Sequence, residues 1–339
     1  MRYFSSLILT LLLFGFALSA PAMELVVEAS KQKPHALQVQ AAIDSLNPFR
    51  QYYGVIRLVG SFQLERPIVL PNYILLDLRE ARLAPLSGHN TLLTNKDWDD
   101  GNHHITIMGG IIDGGRLAPP EGEGGHGIYL SRVEDVRIEG VEVRNFFGDG
   151  IRLTGRGRHT SRAFLDKISV IGNGRYGLNA TWAMRQVQVS NVLARQNGAI
   201  GVHIDHSEGQ YVNISADGNK GHGIYIRNVF GASYSNLSAT RNGKVGIYVL
   251  GMVRSLGSNW AAHNNSRAKK GDSSDIFFSA RDDLSYGITD STRIVGINAG
   301  SYPEYGPATE KHAVEFESTD PKRSHPNLAI SALFAENVH

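Results

Sequence analysis

A short phrase built around a glycine occurs six times in the middle of the chain. Its copies contain Gly127, Gly150, Gly177, Gly201, Gly223 and Gly246. Successive glycines are 23, 27, 24, 22 and 23 residues apart. This period is too short for a pair of helices and suits one strand-rich coil of a repeat protein. We therefore interpret each copy as part of one turn of a solenoid.

A second phrase repeats out of step with the first, and each copy is followed by an asparagine. These asparagines are Asn173, Asn197, Asn219, Asn242 and Asn265. Three of them precede a glycine, and Asn-Gly pairs favour left-handed backbone geometry at turns. We expect the five asparagines to stack at one corner of the solenoid and to hydrogen-bond each other's backbones.

Both phrases alternate apolar and polar residues, which is the period of a strand with one buried face. Parallel strands joined by short corners, with Ile, Val and Leu inside every turn, predict an all-β, right-handed parallel β-helix. The clearest coils span residues 105–265. Strand-like segments also occur at 54–84, and the repeat returns weakly at 275–278, 294–297 and 313–316.

Residues 35–46 form an amphipathic pattern that predicts an N-terminal helix. Leu37, Ala41 and Leu46 lie near one side of it. We expect this helix to cap the solenoid, because an open end would expose apolar surface and strand edges.

Residues 1–22 have the pattern of a signal peptide. Arg2 precedes an apolar run from Leu7 to Leu18, and Ala20-Pro21-Ala22 follows. The run is short for the roughly 20 apolar residues of a membrane span. We therefore expect secretion to the periplasm or the exterior, with residues 23–339 as a single domain that has no membrane span.

The amino-acid composition limits which interactions can stabilise the solenoid and which classes of partner it can bind. The 339 residues contain no cysteine, so no disulfide stabilises the solenoid. The 34 basic and 32 acidic residues are interspersed and give a net charge of +2. No segment concentrates positive charge, which argues against a nucleic-acid partner. We expect a monomer.

Several segments resemble one known group of proteins. They are the helix with Ala36-Leu37-Gln38 and Ala41-Ala42-Ile43-Asp44, the strand segments 54–58 and 67–72, and Ile105–Gly114, which reads Ile-Thr-Ile-Met-Gly-Gly-Ile-Ile-Asp-Gly. Over residues 35–265 the chain resembles the pectate-lyase-like, right-handed β-helix superfamily of secreted polysaccharide-active proteins. The resemblance implies a carbohydrate in a groove along the solenoid. Glycoside hydrolases, uronate lyases and mannuronan C5-epimerases share this scaffold, so the reaction stays open.

Strand alternation predicts which side chains point outward. The second residue after each glycine forms the outward column Tyr129, Arg152, Asn179, His203, Tyr225 and Tyr248. Two residues further on is a second column, Ser131, Thr154, Thr181, Asp205, Arg227 and Leu250. The residues before the glycines are His126, Asp149, Tyr176, Ile200, His222 and Val245. Tyr, His, Arg, Asn and Asp stack on sugar rings or bond their hydroxyl and carboxylate groups. The alternative is a cross-strand ladder of large polar side chains, with Asp205 and Arg227 as a weak surface ion pair.

This face suits proton abstraction from C5 of a uronate, the first step of lyases and C5-epimerases. Such a step needs a base and a group that stabilises the enolate. We assign His203 as base, Tyr225 as acid, Arg152 or Arg227 as partner of the substrate carboxylate, and Asp205 as the residue that orients His203. Predicted substrate-binding residues are Tyr129, Asp149, Tyr176, Asn179, His222 and Tyr248.

The epimerases carry a Tyr-Gly-Phe-Asp-Pro-His type of phrase. When that phrase is aligned with the coil that begins at Asp149, this chain has Arg152 at the position of the Asp and Thr154 at the position of the His. The segments 200–206 and 222–227 are more similar to the phrases of the periplasmic epimerases, but the Asp-Pro-His order is missing. The resemblance therefore does not select epimerase activity over the other reactions of this scaffold.

Two other functions remain open. A hydrolase needs two carboxylates about 5 to 9.5 Å apart, and strand geometry separates Asp149 from Asp205 by ~19 Å. Gly221-His222-Gly223 nevertheless matches a phrase of polygalacturonase-like hydrolases. A non-catalytic carbohydrate-binding β-helix would present the same face. We predict no cofactor. Calcium would need clustered carboxylates, and a transition metal at His203, Asp205 and His206 is the weaker alternative.

Overall fold

The computed structural model describes residues 23–31, 34–46, 53–88, 91–118, 124–155, 160–182, 184–280, 289–300, 311–318 and 327–335. The predicted signal peptide, residues 1–22, lies outside them. Within the described residues, no helix has the length and apolar character to cross a bilayer.

The described residues form one helix and 24 strands in two parallel sheets. The helix is α1 (Ala36–Leu46). Sheet A contains β1 (Met23–Glu28), β2 (Gly54–Leu64), β4 (Ile74–Pro85), β6 (His103–Met108), β7 (Ile111–Asp113), β9 (Glu134–Glu139), β10 (Glu142–Arg144), β12 (Thr160–Ile171), β14 (Met184–Arg195), β16 (Ser207–Asp217), β18 (Ser233–Thr240), β20 (Leu256–His263), β22 (Arg293–Gly300) and β24 (Ala329–Ala335). Sheet B contains β3 (Ile68–Leu70), β5 (Thr91–Asn95), β8 (His126–Ser131), β11 (Ile151–Thr154), β13 (Leu178–Thr181), β15 (Val202–Asp205), β17 (Ile224–Phe230), β19 (Ile247–Val253), β21 (Ile276–Ala280) and β23 (Val314–Ser318).

Each coil places strands in both sheets, as a β-helix requires. Strands from successive coils pair in register, so the apolar residue after each glycine stacks on its equivalent one coil away. The resulting interior column is fully buried and consists of Ile128, Ile151, Leu178, Val202, Ile224, Ile247 and Ile276. The predicted late strands near 276, 294 and 314 are present as β21, β22 and β23. Stacking therefore gives each thin coil the apolar burial that it lacks alone.

The predicted helix is present, but of the three residues predicted on one side only Leu46 is buried. Val39, Ile43 and Leu46 are buried, whereas Leu37 is 58% exposed and Ala41 is exposed. Apolar residues occur on both sides of the pattern, so periodicity alone did not choose between them. Packing on the first strands buries the side that carries Val39 and Ile43.

The asparagine ladder is confirmed. The backbone N–H and the Nδ2 of Asn197 both donate to Oδ1 of Asn219, each at 2.9 Å. The same pattern joins the other members, and Oδ1 of Asp275 ends it by accepting from the backbone of Asn265 at 3.0 Å. A Cβ on Gly201 would lie 2.6 Å from Nδ2 of Asn219. The glycine phrase therefore makes room for the asparagine phrase.

The expected left-handed geometry lies one residue earlier than predicted. The positive φ values belong to Gly172, Gln196, Gly218, Arg241 and Asn264, each just before a ladder asparagine. The following glycines serve another purpose, since a Cβ on Gly198 would lie 2.0 Å from the carbonyl oxygen of Gly174. Close packing of coils, rather than turn conformation, requires glycine there.

A second asparagine ladder, not predicted, runs along the outside of sheet A. Its members are Asn191, Asn213, Asn236 and Asn259, which are exposed and have positive φ. Nδ2 of Asn213 donates to Oδ1 of Asn191 at 3.0 Å. These residues bend each long strand of sheet A while keeping the coils in register.

Candidate active site on sheet B

The predicted outward column is a continuous row across sheet B. Tyr129, Arg152, Asn179, His203, Tyr225 and Tyr248 pair residue by residue with their neighbours in the row. The row continues at Thr94 on one side and at Phe277 on the other. Sequence reasoning missed Phe277 because Asp275 occupies the glycine position of that coil.

The aromatic rings of the column stack on one another along the solenoid. The His203 and Tyr225 centroids are 5.1 Å apart with planes 16° from parallel. Tyr225 and Tyr248 are 4.8 Å apart at 19°. Because each face of Tyr225 is covered by a neighbouring ring, its free surface consists of the ring edge and the hydroxyl group, which is compatible with its predicted role as an acid.

Asp149 lies beneath this surface. Its side chain is fully buried, with Oδ2 2.8 Å from the donating Nδ2 of Asn179 and Oδ1 3.3 Å from the backbone N–H of Tyr176. Nε of Arg175 is 3.9 Å from Oδ1. Its assignment as a substrate-contacting residue is therefore wrong, since Asn179 and Tyr176 contact it instead.

His126 is neutral beside this carboxylate. The backbone N–H of Asp149 donates to its Nδ1 at 2.9 Å, which places the ring proton on Nε2. Burial, the largest cause, lowers the pKa of His126 to about 4, and the positive charges of Arg152 and Arg175 add to this while Asp149 opposes it. The 3.7 Å approach of Nδ1 to the carboxylate of Asp149 is therefore not an ion pair at neutral pH.

Asn179 links the buried carboxylate to His203. Because its Nδ2 donates to Asp149, its Oδ1 faces His203, 3.1 Å from Nδ1. A carbonyl oxygen only accepts, so Nδ1 of His203 carries the proton and Nε2 carries the lone pair. Nε2 has no hydrogen-bond partner and is shielded from solvent. The tautomer of His203 is thus fixed by the chain Asp149, Asn179, His203.

Burial makes His203 neutral over the physiological range. Desolvation is the largest cause that lowers its pKa to about 4; Asp205 and Asp149 raise it and Arg227 lowers it. The group can therefore accept a proton at neutral pH. An anion bound beside it would raise its pKa and strengthen it as a base.

Asp205 does not orient His203 as predicted. Its Oδ1 is 2.7 Å from Nδ1 of His206 and 4.0 Å from Nε of Arg227. The carboxylate is almost wholly buried, so the group is more than a loose surface pair. It supports the end of the strand, while Asn179 takes the orienting place.

Two guanidinium groups belong to the coils that precede the coil of His203. The Arg152 guanidinium is 4.9 Å from the centre of the Tyr129 ring, and its buried Nε has no hydrogen-bond partner. Arg175, which sequence reasoning missed, is half exposed beside Asp149. The sequence feature that could have identified Arg175 is a basic residue directly after the corner pair Asn173-Gly174. Arg152 and Arg175 together give positive charge to the part of sheet B near the centre of the outward column.

His222 and Tyr176 complete the surroundings. The Tyr176 ring lies 5.3 Å from His203 in an edge contact. The His222 ring is 5.1 Å from that of Tyr248, and its Nδ1 is buried without a hydrogen-bond partner. Burial, as the largest cause, lowers the pKa of His222 to about 4. Two neutral imidazoles therefore lie close to Tyr225.

The carboxylates expected for hydrolysis do not meet. Asp149 immediately precedes the coil of β11 and Asp205 ends β15, with β13 between them, and both are buried. Among the residues that the structure describes, no three His, Asp or Glu side chains are gathered as metal ligands. A separate open groove of about 960 Å³ lies on sheet A, bordered by Arg162, Gln188 and Leu256. It is remote from the outward column.

Comparison with known proteins agrees with this architecture. Residues 98–266 match the family model described as a right-handed β-helix region. No curated protein sequence matches the chain. The A-module of the mannuronan C-5 epimerase AlgE4 from Azotobacter vinelandii has a TM-score of 0.64 at 16% identity, over 91% of this chain and 96% of that module.

Two other solved structures are similar over most of this chain. Tailspike protein 2 of Escherichia coli O157:H7 bacteriophage CAB120 gives a TM-score of 0.64 at 15% identity, over 89% of this chain and 45% of that protein. The catalytic domain of a GH87 α-1,3-glucanase in complex with tetrasaccharides gives 0.62 at 15% identity, over 94% of this chain and 59% of that one. These likenesses establish the fold, and the predicted right-handed parallel β-helix is confirmed.

Proposed function

From the premise that this chain is a right-handed parallel β-helix protein with the fold of the pectate-lyase-like superfamily, we propose that it is an enzyme of acidic polysaccharides. Sheet B binds a uronate-containing chain, and His203 removes the proton at C5 of one residue. The reaction then ends as a lyase or as a C5-epimerase. An epimerase of a uronate polymer among the structural neighbours supports this proposal.

The observation that carries the proposal is the orientation of His203. Its Nδ1–H is held by Asn179, which is held in turn by a buried carboxylate. Nε2 is left as an acceptor with no protein partner. A structural histidine would use both nitrogens, because an unsatisfied buried polar atom costs about 1 to 3 kcal/mol. Its neighbours must move to admit a ligand to Nε2.

Charge explains why a uronate suits this base. Arg152 and Arg175 supply positive charge where the substrate carboxylate would lie, and stabilise the enolate that forms when C5 loses its proton. The bound carboxylate raises the low pKa of His203, so the base gains strength when substrate is present. Tyr225, stacked on His203, is the adjacent hydroxyl group that returns a proton to the sugar or to the leaving oxygen.

Incubation of the purified protein with alginate and with polygalacturonate in heavy water tests the reaction. We expect deuterium at C5 by proton NMR if the enzyme is an epimerase, because C5 takes a new proton from solvent, and ultraviolet-absorbing unsaturated ends if it is a lyase, because C5 then carries no hydrogen. His203→Gln should abolish both signals, whereas His103→Gln on sheet A is the matched control and should keep them.

Two outcomes contradict proton abstraction. New reducing ends without C5 exchange or unsaturation indicate a hydrolase. Binding of polymer with no product of any kind indicates a carbohydrate-binding protein.

The same proposal includes location and assembly. We propose that the protein acts outside the cytoplasm, in the periplasm or the exterior, as a monomer. Cell fractionation and light scattering test these two points, and retention in the cytoplasm or a stable oligomer contradicts them.

A further inference from the structure

One corner of the solenoid holds an unexpected tryptophan. The residue that follows the second column in each coil turns the chain away from sheet B, and we call this row the exit corner. Its members in successive coils are Arg132, Gly155, Trp182, His206, Asn228 and Gly251. Trp182 has φ 65°, in the left-handed region. This conformation costs most L-residues roughly 1 to 2 kcal/mol, and Gly and Asn tolerate it best.

Burial of the Trp182 side chain does not offset this conformational cost. Its side chain is 56% exposed. Its ring lies parallel to that of His206, with centroids 5.7 Å apart and planes 2° from parallel. On the other side, the equivalent residue of the preceding coil is Gly155, which has no side chain to cover the indole. The tryptophan is thus supported on one face and open on the other.

The imidazole of His206 lies beside a buried carboxylate. Nδ1 of His206 is 2.7 Å from Oδ1 of Asp205, and Arg227 approaches the same carboxylate. Asp205 is buried and anchored in β15. Arg132, His206 and Asn228 share the left-handed conformation, so the backbone angle alone does not distinguish Trp182. What distinguishes it is a large apolar ring that is exposed and held parallel to the His206 ring, which folding stability alone does not explain.

We propose that the open face of Trp182 stacks on a sugar ring of the polysaccharide whose reaction centre is His203. The inference rests on the proposed function for its ligand class. Trp182 directly follows β13 and is three residues beyond Asn179, or about 10 Å by strand geometry. Arg227, two residues beyond Tyr225 on β17, provides a cation for the carboxylate of a uronate. The bound chain therefore crosses sheet B toward the exit corner.

A single indole among polar side chains suits a sugar better than a protein. The neighbouring side chains of Thr181, Asp205 and Arg227 are hydrogen-bonding or charged, and of these three Arg227 is the partly exposed one. A pyranose ring presents an apolar C–H face to the indole and its hydroxyl or carboxylate groups to Arg227. Among the described residues of the exit corner, no other large apolar side chain is exposed, whereas protein partners bury contiguous apolar areas.

The variant Trp182→Asn separates binding from folding, because Asn228 already occupies the equivalent corner position. We expect its thermal midpoint to be unchanged or higher, since asparagine relieves the left-handed strain. Affinity for acidic oligosaccharides long enough to reach from His203 to the exit corner should fall about tenfold, which is 1.4 kcal/mol. If the enzyme is active, KM rises by a similar factor with kcat nearly unchanged.

Two controls complete the experiment. Leu256→Asn removes an exposed apolar side chain from sheet A, where it is 61% exposed, and should leave affinity unchanged. Tryptophan fluorescence should report binding through Trp182, since quenching by the oligosaccharide is expected in the wild type and reduced in the variant.

The outcomes distinguish this inference from the proposed function. If the wild type binds acidic oligosaccharides and Trp182→Asn binds them equally well, or loses stability instead, the platform is refuted while the chemistry at His203 stands. If Trp182→Asn weakens binding but the wild type shows neither C5 exchange nor unsaturated ends, the platform stands and the proposed reaction fails.

Discussion

Replacing Asn219 by alanine should destabilise the protein far more than replacing Asn213 in the same coil. Oδ1 of Asn219 accepts two bonds from Asn197, and its Nδ2 donates to Asn242 and to the carbonyl oxygen of Ala194. Truncation leaves two donors and one carbonyl oxygen buried without these partners. Each such group costs about 1 to 3 kcal/mol, so the unfolding free energy of Asn219→Ala should fall by on the order of 4 kcal/mol.

Asn213 is the matched control, because it also bonds to a coil on either side. Nδ2 donates to Asn191 at 3.0 Å and Oδ1 accepts from Asn236 at 2.8 Å. This ladder is exposed, so water replaces the lost partners. The main cost of Asn213→Ala is alanine in a left-handed conformation, about 1 kcal/mol.

Urea unfolding followed by circular dichroism measures both variants. We expect the unfolding free energy of Asn219→Ala to lie roughly 3 kcal/mol below that of Asn213→Ala. If the two variants lose the same unfolding free energy, within about 0.5 kcal/mol, the buried hydrogen bonds of the ladder that contains Asn219 are not what holds the coils in register.

Two predictions concern pH. Asp205 raises the pKa of His203 and Arg227 lowers it, so the acidic limb of kcat/KM should move to lower pH in Asp205→Asn and to higher pH in Arg227→Gln. Shifts in the same direction in both variants would contradict the assignment. His126 has a folded pKa of about 4, below its unfolded value of 6.5, so stability is lost as pH falls from 6.5 toward 4, by at most about 3 kcal/mol. His126→Gln should remove that part of the pH dependence in thermal unfolding, and an unchanged slope would refute it.

Repetition made the fold predictable from sequence. The glycine and asparagine phrases are local patterns. They are linked by an interior contact between a glycine and an asparagine, such as Gly201 and Asn219, that recurs in five successive coils. The outward column followed from strand alternation alone. The buried side of α1 did not follow, because the sequence has apolar residues on two sides and only the neighbouring strands select one.

The site was predicted as a set of positions but not as a set of roles. Asp149, Asn179 and His203 belong to three coils, and the bond between the first two depends on side-chain directions that sequence spacing does not give. For the same reason Asp205 was expected beside His203 although it turns to His206. The tryptophan at 182 had a sequence signal, since it is the one large apolar residue at a corner position where the other coils have Arg132, Gly155, His206, Asn228 or Gly251.

The imidazole of His203 offers the most direct test of the proposed site. Nitrogen NMR shifts of the labelled histidine, followed against pH, report both its tautomer and its pKa. We expect a proton on Nδ1, a pKa near 4 without ligand, and a rise in pKa when an acidic oligosaccharide binds but not when a neutral one does. A proton on Nε2, or a pKa that acidic sugar leaves unchanged, would contradict the role of His203 as a base that a uronate activates.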